Sequence, residues 1–216
     1  MPGGLVMNRG RANTAPPPAR RMALLSAMMA AGLGASLLWL PGGSAAEVEI
    51  GAPFALTDQN GKPRSDEDFR GSYALIYFGY TFCPDVCPTG LMKMTDALAA
   101  LSKRDPAKAA RVAPIFITID PTRDTPETLK DYAAHFSPRL VALTGQPDAL
   151  RELAYAYGVR FAKAPGGGEY YMMDHTGFTY LVGPDGRYIT HFESDVTVDE
   201  LVKQLDARVV VPASRS

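Results

Sequence analysis

Cysteine is nearly missing from this chain: 216 residues carry two, Cys83 and Cys87, and only three histidines accompany them. A four-thiolate zinc site is therefore excluded unless other residues or a second chain complete it. An excess of charge of one sign is missing too. Lysine and arginine number 22 against 23 acidic residues, a formal net charge of −1. The globular part has no basic cluster with interleaved aromatics, so nucleic acid is excluded as the main partner. No internal repeat is present. The rest, 46% hydrophobic and 21% charged, suits one domain with a full core and a short appendage.

The appendage is N-terminal. Residues 1–21 hold Arg9, Arg11, Arg20 and Arg21, the run Pro16-Pro17-Pro18 and no acidic residue. With nothing to build a core, they read as a basic disordered cytoplasmic tail. Met22 to Leu40 carries no charge, and as a helix it rises about 28 Å, close to the thickness of bilayer hydrocarbon. Arginines on its N-terminal side alone keep that end in the cytoplasm and export the remainder. A single transmembrane anchor over 22–40, followed by a linker over 41–49, is the expectation. The competing reading is a cleaved signal peptide, for which Ser44-Ala45-Ala46 offers small residues; the length of the apolar run favours the anchor. Either way the cysteines leave the cytoplasm, to a compartment where disulfides persist.

From residue 50 to 207 strands and helices alternate. Phe54 to Thr57 and Lys62 to Ser65, joined by Gln59-Asn60-Gly61, predict an N-terminal hairpin. Tyr73 to Tyr80 and Val112 to Ile119 are apolar runs of the kind that form buried central strands. Between them Leu91, Met94, Leu98 and Leu101 recur at helical spacing, predicting a helix from Pro84 or Cys87 to Leu101. Thr125 reads as an N-cap with Pro126 at the first helical position, opening a helix to about Phe136. A strand over Leu140–Thr144, a helix over Pro147–Tyr157, strands over Tyr170–Met173, Thr179–Val182 and Arg187–Phe192, and a helix over Val198–Leu205 complete the order. The layout is α/β and thioredoxin-like: a central mixed sheet flanked by helices. Residues 208–216 are expected to form a flexible tail.

Cys83 and Cys87 stand where the first central strand gives way to its helix. There the helix dipole and unpaired N–H groups favour the thiolate, which is both a nucleophile and a soft-metal ligand. A spacing of four on a helix puts the α-carbons about 6 Å apart, within reach of a disulfide or of one shared ion. A bond closing so short a loop stabilises little. Among the histidines, His135 at a helix end and His191 beside a strand read as structural. His175 follows Asp174 in the loop that, in a thioredoxin-like topology, faces the first helix mouth and usually carries a cis-proline. A histidine there could complete a site of two sulfurs and one nitrogen suited to a soft or borderline metal. Tyr80 and Phe82 are expected to shield this site and leave an apolar rim. Met92, Met94, Met172 and Met173 read as core packing. Asp85 could bias the thiols, meet a partner's basic surface, or simply stabilise the helix start. Asp120 and Asp124 could tune the pocket, recruit a partner, or fix their loop. Asp174 is a neighbour that could orient the imidazole.

Three motifs in order, Cys83-Pro84-Asp85-Val86-Cys87-Pro88, Asp120-Pro121-Thr122-Arg123-Asp124-Thr125-Pro126-Glu127 and Asp174-His175-Thr176-Gly177, together with Pro184-Asp185-Gly186, resemble the Sco/SenC family of copper-delivery proteins for cytochrome c oxidase assembly. The resemblance covers about Ile50 to Leu205. It implies copper, Cu(I) or Cu(II), bound by Cys83, Cys87 and His175. It also implies delivery to the dinuclear copper site of cytochrome c oxidase subunit II, by metal transfer or by reduction of that site's cysteines. A periplasmic copper donor and a thiol reductant are further partners it brings. An N-terminal anchor in the bacterial inner membrane, with the C-terminal domain periplasmic, fits the same family. The competing function is a thiol:disulfide oxidoreductase without metal, in which Cys83 attacks and Cys87 resolves. A peroxiredoxin fits poorly, because no threonine lies three residues before Cys83. An interaction domain with an inert disulfide is the remaining alternative.

Overall fold

The computed structural model describes residues 50–166 and 168–212. The expected anchor, with its flanking tail and linker, and the last residues of the chain lie outside these. Among the described residues no helix is long and apolar enough to cross a membrane.

Two strands set the frame. β3 (Tyr73–Gly79) is buried at every residue and β4 (Val112–Thr118) at all but one, as their unbroken apolar runs require of strands covered on both faces. They pair in parallel from Tyr73↔Val112 to Gly79↔Thr118. Around them β1 (Ala55–Asp58), β2 (Pro63–Ser65), β5 (Val141–Thr144), β8 (Thr179–Val182) and β9 (Tyr188–Phe192) complete a seven-stranded mixed sheet of order β2-β1-β5-β4-β3-β8-β9. The parallel steps are β3–β4 and β4–β5; every other pairing is antiparallel. The helices are α1 (Val86–Arg104), α2 (Pro106–Ala110), α3 (Pro126–Ala134), α4 (Pro147–Ala156) and α5 (Val198–Arg208). α1 turns Cys87, Leu91, Met94, Leu98 and Leu101 into the core and packs against α5, while α3 lies on β5. The thioredoxin-like mixed sheet flanked by helices is thus present, and so is the N-terminal hairpin β1–β2.

Most expected elements agree to within a few residues, and the Thr125 side chain caps α3 by accepting the Thr128 N–H at 3.2 Å. Three short pieces had no periodic pattern to announce them: α2, a 3-10 turn over Asp66–Phe69, and β6 (Phe161–Lys163). The strand expected over Tyr170–Met173 is displaced. Gly168–Tyr170 form a 3-10 turn, and β7 (Met173–His175) follows, pairing only with β6 in a separate two-stranded sheet. The segment expected to be flexible from residue 208 is docked at its start: Arg208 ends α5, Val209 is buried, and the Val210 N–H donates to Tyr73 Oη at 3.1 Å.

Candidate metal centre

The topology brings three chain segments to one edge of the sheet. Because β3 and β4 are parallel and in register, the loops leaving Gly79 and Thr118 emerge side by side. β8 runs antiparallel to β3 with Thr179 opposite Tyr77, so the residues entering β8 arrive at the same edge. Cys83 sits in the first loop, Cys87 in the opening turn of α1, and His175 at the end of β7 rather than in a loop.

The donor atoms of Cys83, Cys87 and His175 all lie within 4.8 Å of one another. His175 Nε2 is 3.2 Å from Cys87 Sγ. Its Nδ1 lies 3.0 Å from the Thr176 carbonyl, which fixes Nδ1 as the protonated nitrogen and turns the Nε2 lone pair toward the sulfurs. Tyr80 meets the imidazole edge-on, with ring centroids 5.8 Å apart at 83°, and its hydroxyl accepts the Met173 N–H at 3.1 Å. Both thiols are free, and the described residues contain no cis peptide bond. An ion about 2.0–2.3 Å from each donor brings donor pairs to roughly 3–4.5 Å apart. Two sulfurs and an imidazole nitrogen at these separations fit one soft or borderline ion. Room for the second sulfur depends on Gly79: a β-carbon there would stand 2.7 Å from Cys87 Sγ.

The two thiols are unequal. The Cys83 pKa is pulled well below the ordinary thiol range, chiefly by the hydrogen bond from Cys87 and further by the N–H groups of Asp85 and Cys87, against the opposing pull of burial. Cys87, fully buried, is pushed up because it donates to Cys83 and because burial disfavours its charge. Cys83 is the thiolate at the mouth and Cys87 the thiol beneath it.

The acidic candidates separate into distinct roles. Asp85 occupies the N-cap position of α1 without capping its backbone; its carboxylate accepts from the Thr89 hydroxyl at 3.4 Å. Asp124 is fully buried and accepts the Thr81 N–H at 3.1 Å and the hydroxyls of Thr81 and Thr118 at 2.5 Å each. It therefore ties the cysteine loop to the end of β4. Burial raises the Asp124 pKa while these donors pull it down. Asp120 is buried too, paired with Arg123 Nε at 2.5 Å and accepting the Tyr171 hydroxyl at 2.6 Å. Asp174 is not brought in. It is exposed and sits opposite Ala162; the partner of the imidazole is the Thr176 carbonyl instead. Strand alternation explains this, since neighbours on β7 face opposite ways.

Two of the four methionines depart from core packing. Met94 and Met173 are buried, but Met92 is 56% exposed and Met172 38%: helical periodicity carries Met92 off the buried face of α1, and Met172 lies in the irregular segment just before β7. With Phe82, Val86 and Tyr170, also exposed, Met172 belongs to an apolar fringe around the cysteine loop and the following hairpin. His135 is the C-cap of α3, and His191 stacks on Phe178 at 5.0 Å; neither approaches the thiols. Sequence reasoning passed over Thr81, Arg123, Tyr171 and Thr176. The one available hint was an arginine between two aspartates directly after a central strand.

Fold and site together define a class: a thioredoxin-like domain whose first-helix cysteines face an imidazole from the segment entering the antiparallel strand. The SCO1/SenC family profile matches residues 43–210, and the chain belongs to that family. The SCO2-like protein RP587 of Rickettsia prowazekii is 40% identical over 159 residues, 73% of this chain and 76% of the relative. The structure of Bradyrhizobium japonicum ScoI with copper bound is similar at 43% identity and a TM-score of 0.67, covering 74% of this chain and 99% of that one. Yeast Sco1 with copper bound is similar at 34% identity and a TM-score of 0.69, covering 76% and 92%.

Proposed function

We propose that this chain is a membrane-anchored copper chaperone that takes copper as cargo on Cys83, Cys87 and His175 and delivers it to the dinuclear copper site of cytochrome c oxidase subunit II. The observation that carries this reading is the clustering of two sulfurs and one correctly turned imidazole within 4.8 Å. Thiolates suit Cu(I), and the imidazole extends the donor set to Cu(II). The Cys83 thiolate is ready to bind, whereas Cys87 releases its proton when an ion arrives, so loading is proton-linked. The anchor over 22–40, with the domain on the periplasmic side, keeps the site beside a membrane-bound recipient. Titration of the reduced protein with Cu(I) against a chromophoric chelator tests the ligand set. One equivalent is expected, with His175→Ala weakening binding at least about tenfold and His135→Ala leaving it unchanged. Equal affinity in the two variants rules the set out.

The inequality of the thiols favours a second activity at the same residues. The Cys83 thiolate can attack a target disulfide, displacing one target thiolate. Cys87 then attacks the mixed disulfide, freeing the second target thiol and leaving Cys83 and Cys87 oxidised. An external thiol reductant must restore the pair. This activity needs no imidazole, so His175→Ala separates it from copper binding.

A further inference from the structure

The residue that joins the two halves of the centre is not one of the three proposed ligands. Arg123, in the loop after β4, touches both. Its guanidinium carbon lies 3.7 Å from the centroid of Tyr171, 4.8 Å from that of Phe82 and 5.6 Å from that of Tyr80. Tyr80 and Phe82 belong to the cysteine loop; Tyr171 belongs to the segment that leads into β7 and His175. In its plane, Arg123 Nε pairs with the buried Asp120 at 2.5 Å and Nη1 donates to the Tyr171 carbonyl at 2.9 Å. The remaining nitrogen, Nη2, is buried with no hydrogen-bond partner among the described residues. A cation tolerates that state where ring faces replace water around it.

We propose that Arg123 is a positioning residue for the centre: it clasps the cysteine loop to the histidine-bearing hairpin and so sets the approach of His175 to the two sulfurs before any ion arrives. The chain of contacts is short. Arg123 fixes the carbonyl of Tyr171, and two residues on, the Met173 N–H is fixed by Tyr80 Oη. His175 follows two residues later with its ring against Tyr80. On the other side, Phe82 directly precedes Cys83. β7 pairs only with the three-residue β6, so the hairpin has no register with the main sheet to hold it, and side-chain contacts must do so. A lysine cannot take this place, because stacking and two in-plane hydrogen bonds together need a planar guanidinium. Lys163 Nζ, 3.9 Å from the centroid of the same Tyr171 ring, adds a second cation from β6. The Asp120 carboxylate, bound to both Arg123 and the Tyr171 hydroxyl, balances it.

The proposal rests on the copper reading for its affinity test but not for its test in metal-free protein. In the metal-free, reduced protein, Arg123→Met is expected to speed amide exchange at Met173 and Thr176 by at least about tenfold while amides within β3 keep their protection. Phe82→Ala, at a side chain 45% exposed, is expected to give a smaller increase at the same amides, which keeps the test usable if Arg123→Met does not fold. Cu(I) competition is expected to show about a tenfold loss for Arg123→Met, unrestored by Arg123→Lys. That loss should vanish in the His175→Ala background, because Arg123 acts through the imidazole. Unchanged exchange at Met173 and Thr176, or an affinity loss that persists undiminished without His175, overturns the clasp. Failure of the unaltered protein to bind copper defeats the copper reading instead, and the exchange measurement then decides the clasp alone.

Discussion

At the scale of single residues the centre works by inequality. Cys83 and Cys87 have the same side chain, yet one is held as thiolate by the other's proton. The largest cause of the low Cys83 pKa is the hydrogen bond from Cys87, so its removal moves that pKa up toward the ordinary value of about 8.5. In the unaltered reduced protein, alkylation of Cys83 should be nearly independent of pH from about 6 to 9, because the thiolate already dominates. In Cys87→Ala the rate should start lower near neutrality and climb with pH up to the new pKa. Stopped-flow alkylation of the two proteins checks this, and identical flat profiles would remove Cys87 as the cause. The three clustered residues, Cys83, Cys87 and His175, were legible in the sequence because cysteine and histidine are scarce and their positions follow from topology. The supporting set was not. Thr176 acts through its carbonyl, which any residue could supply, and Arg123 acts through ring faces contributed by residues 43 and 41 positions before it and 48 after. No local pattern encodes such contacts. Asp174 misled for the opposite reason, since adjacency in a strand separates side chains rather than joining them.

At the scale of elements, β3 and α1 are fitted to each other more tightly than their propensities suggest. Gly90 lies in the second turn of α1, where alanine would ordinarily stabilise an exposed helix by up to about 1 kcal/mol. Here its β-carbon would meet the Tyr77 ring at 2.6 Å. Tyr77 is fully buried on β3 and its hydroxyl donates to the Val86 carbonyl at 3.2 Å, so the ring has nowhere to go. Overpacking of this kind costs about 1–3 kcal/mol and outweighs the propensity gain. Gly90→Ala is therefore expected to lower the free energy of unfolding by about 1–2 kcal/mol in a urea titration; a stabilised variant would show that the helix can shift off the strand. The long apolar elements β3, β4, β8 and α1 were legible because burial on both faces or on one helical stripe writes itself into the residue pattern. β6 and β7 were not. They are three residues each and largely outside the main core, and the aromatic run Tyr170-Tyr171 reflects ring contacts, Tyr171 with Arg123 and Tyr170 with Phe82, rather than a strand.

At the scale of the whole domain, β3 separates two tasks along its length. Its C-terminal end carries Gly79 and the cysteine loop; its N-terminal end carries Tyr73, whose hydroxyl receives the Val210 N–H just after α5. Six residues of strand put these ends about 20 Å apart. Val209, 1% exposed, closes the core at the far end, and burying such a side chain contributes about 2 kcal/mol. Effects at that separation usually add independently. Val209→Ala should therefore shift the urea midpoint downward by the equivalent of about 1–2 kcal/mol and leave Cu(I) affinity within twofold of the unaltered protein. Gly79→Ala, at the other end of the same strand, should do the reverse in emphasis. Its β-carbon drives Cys87 Sγ away from 2.7 Å, so affinity falls by at least about tenfold in a protein that still folds. If Val209→Ala weakens copper binding as much as Gly79→Ala does, the centre is coupled to global stability, and the close packing of Gly79 on Cys87 Sγ is not where its affinity is set.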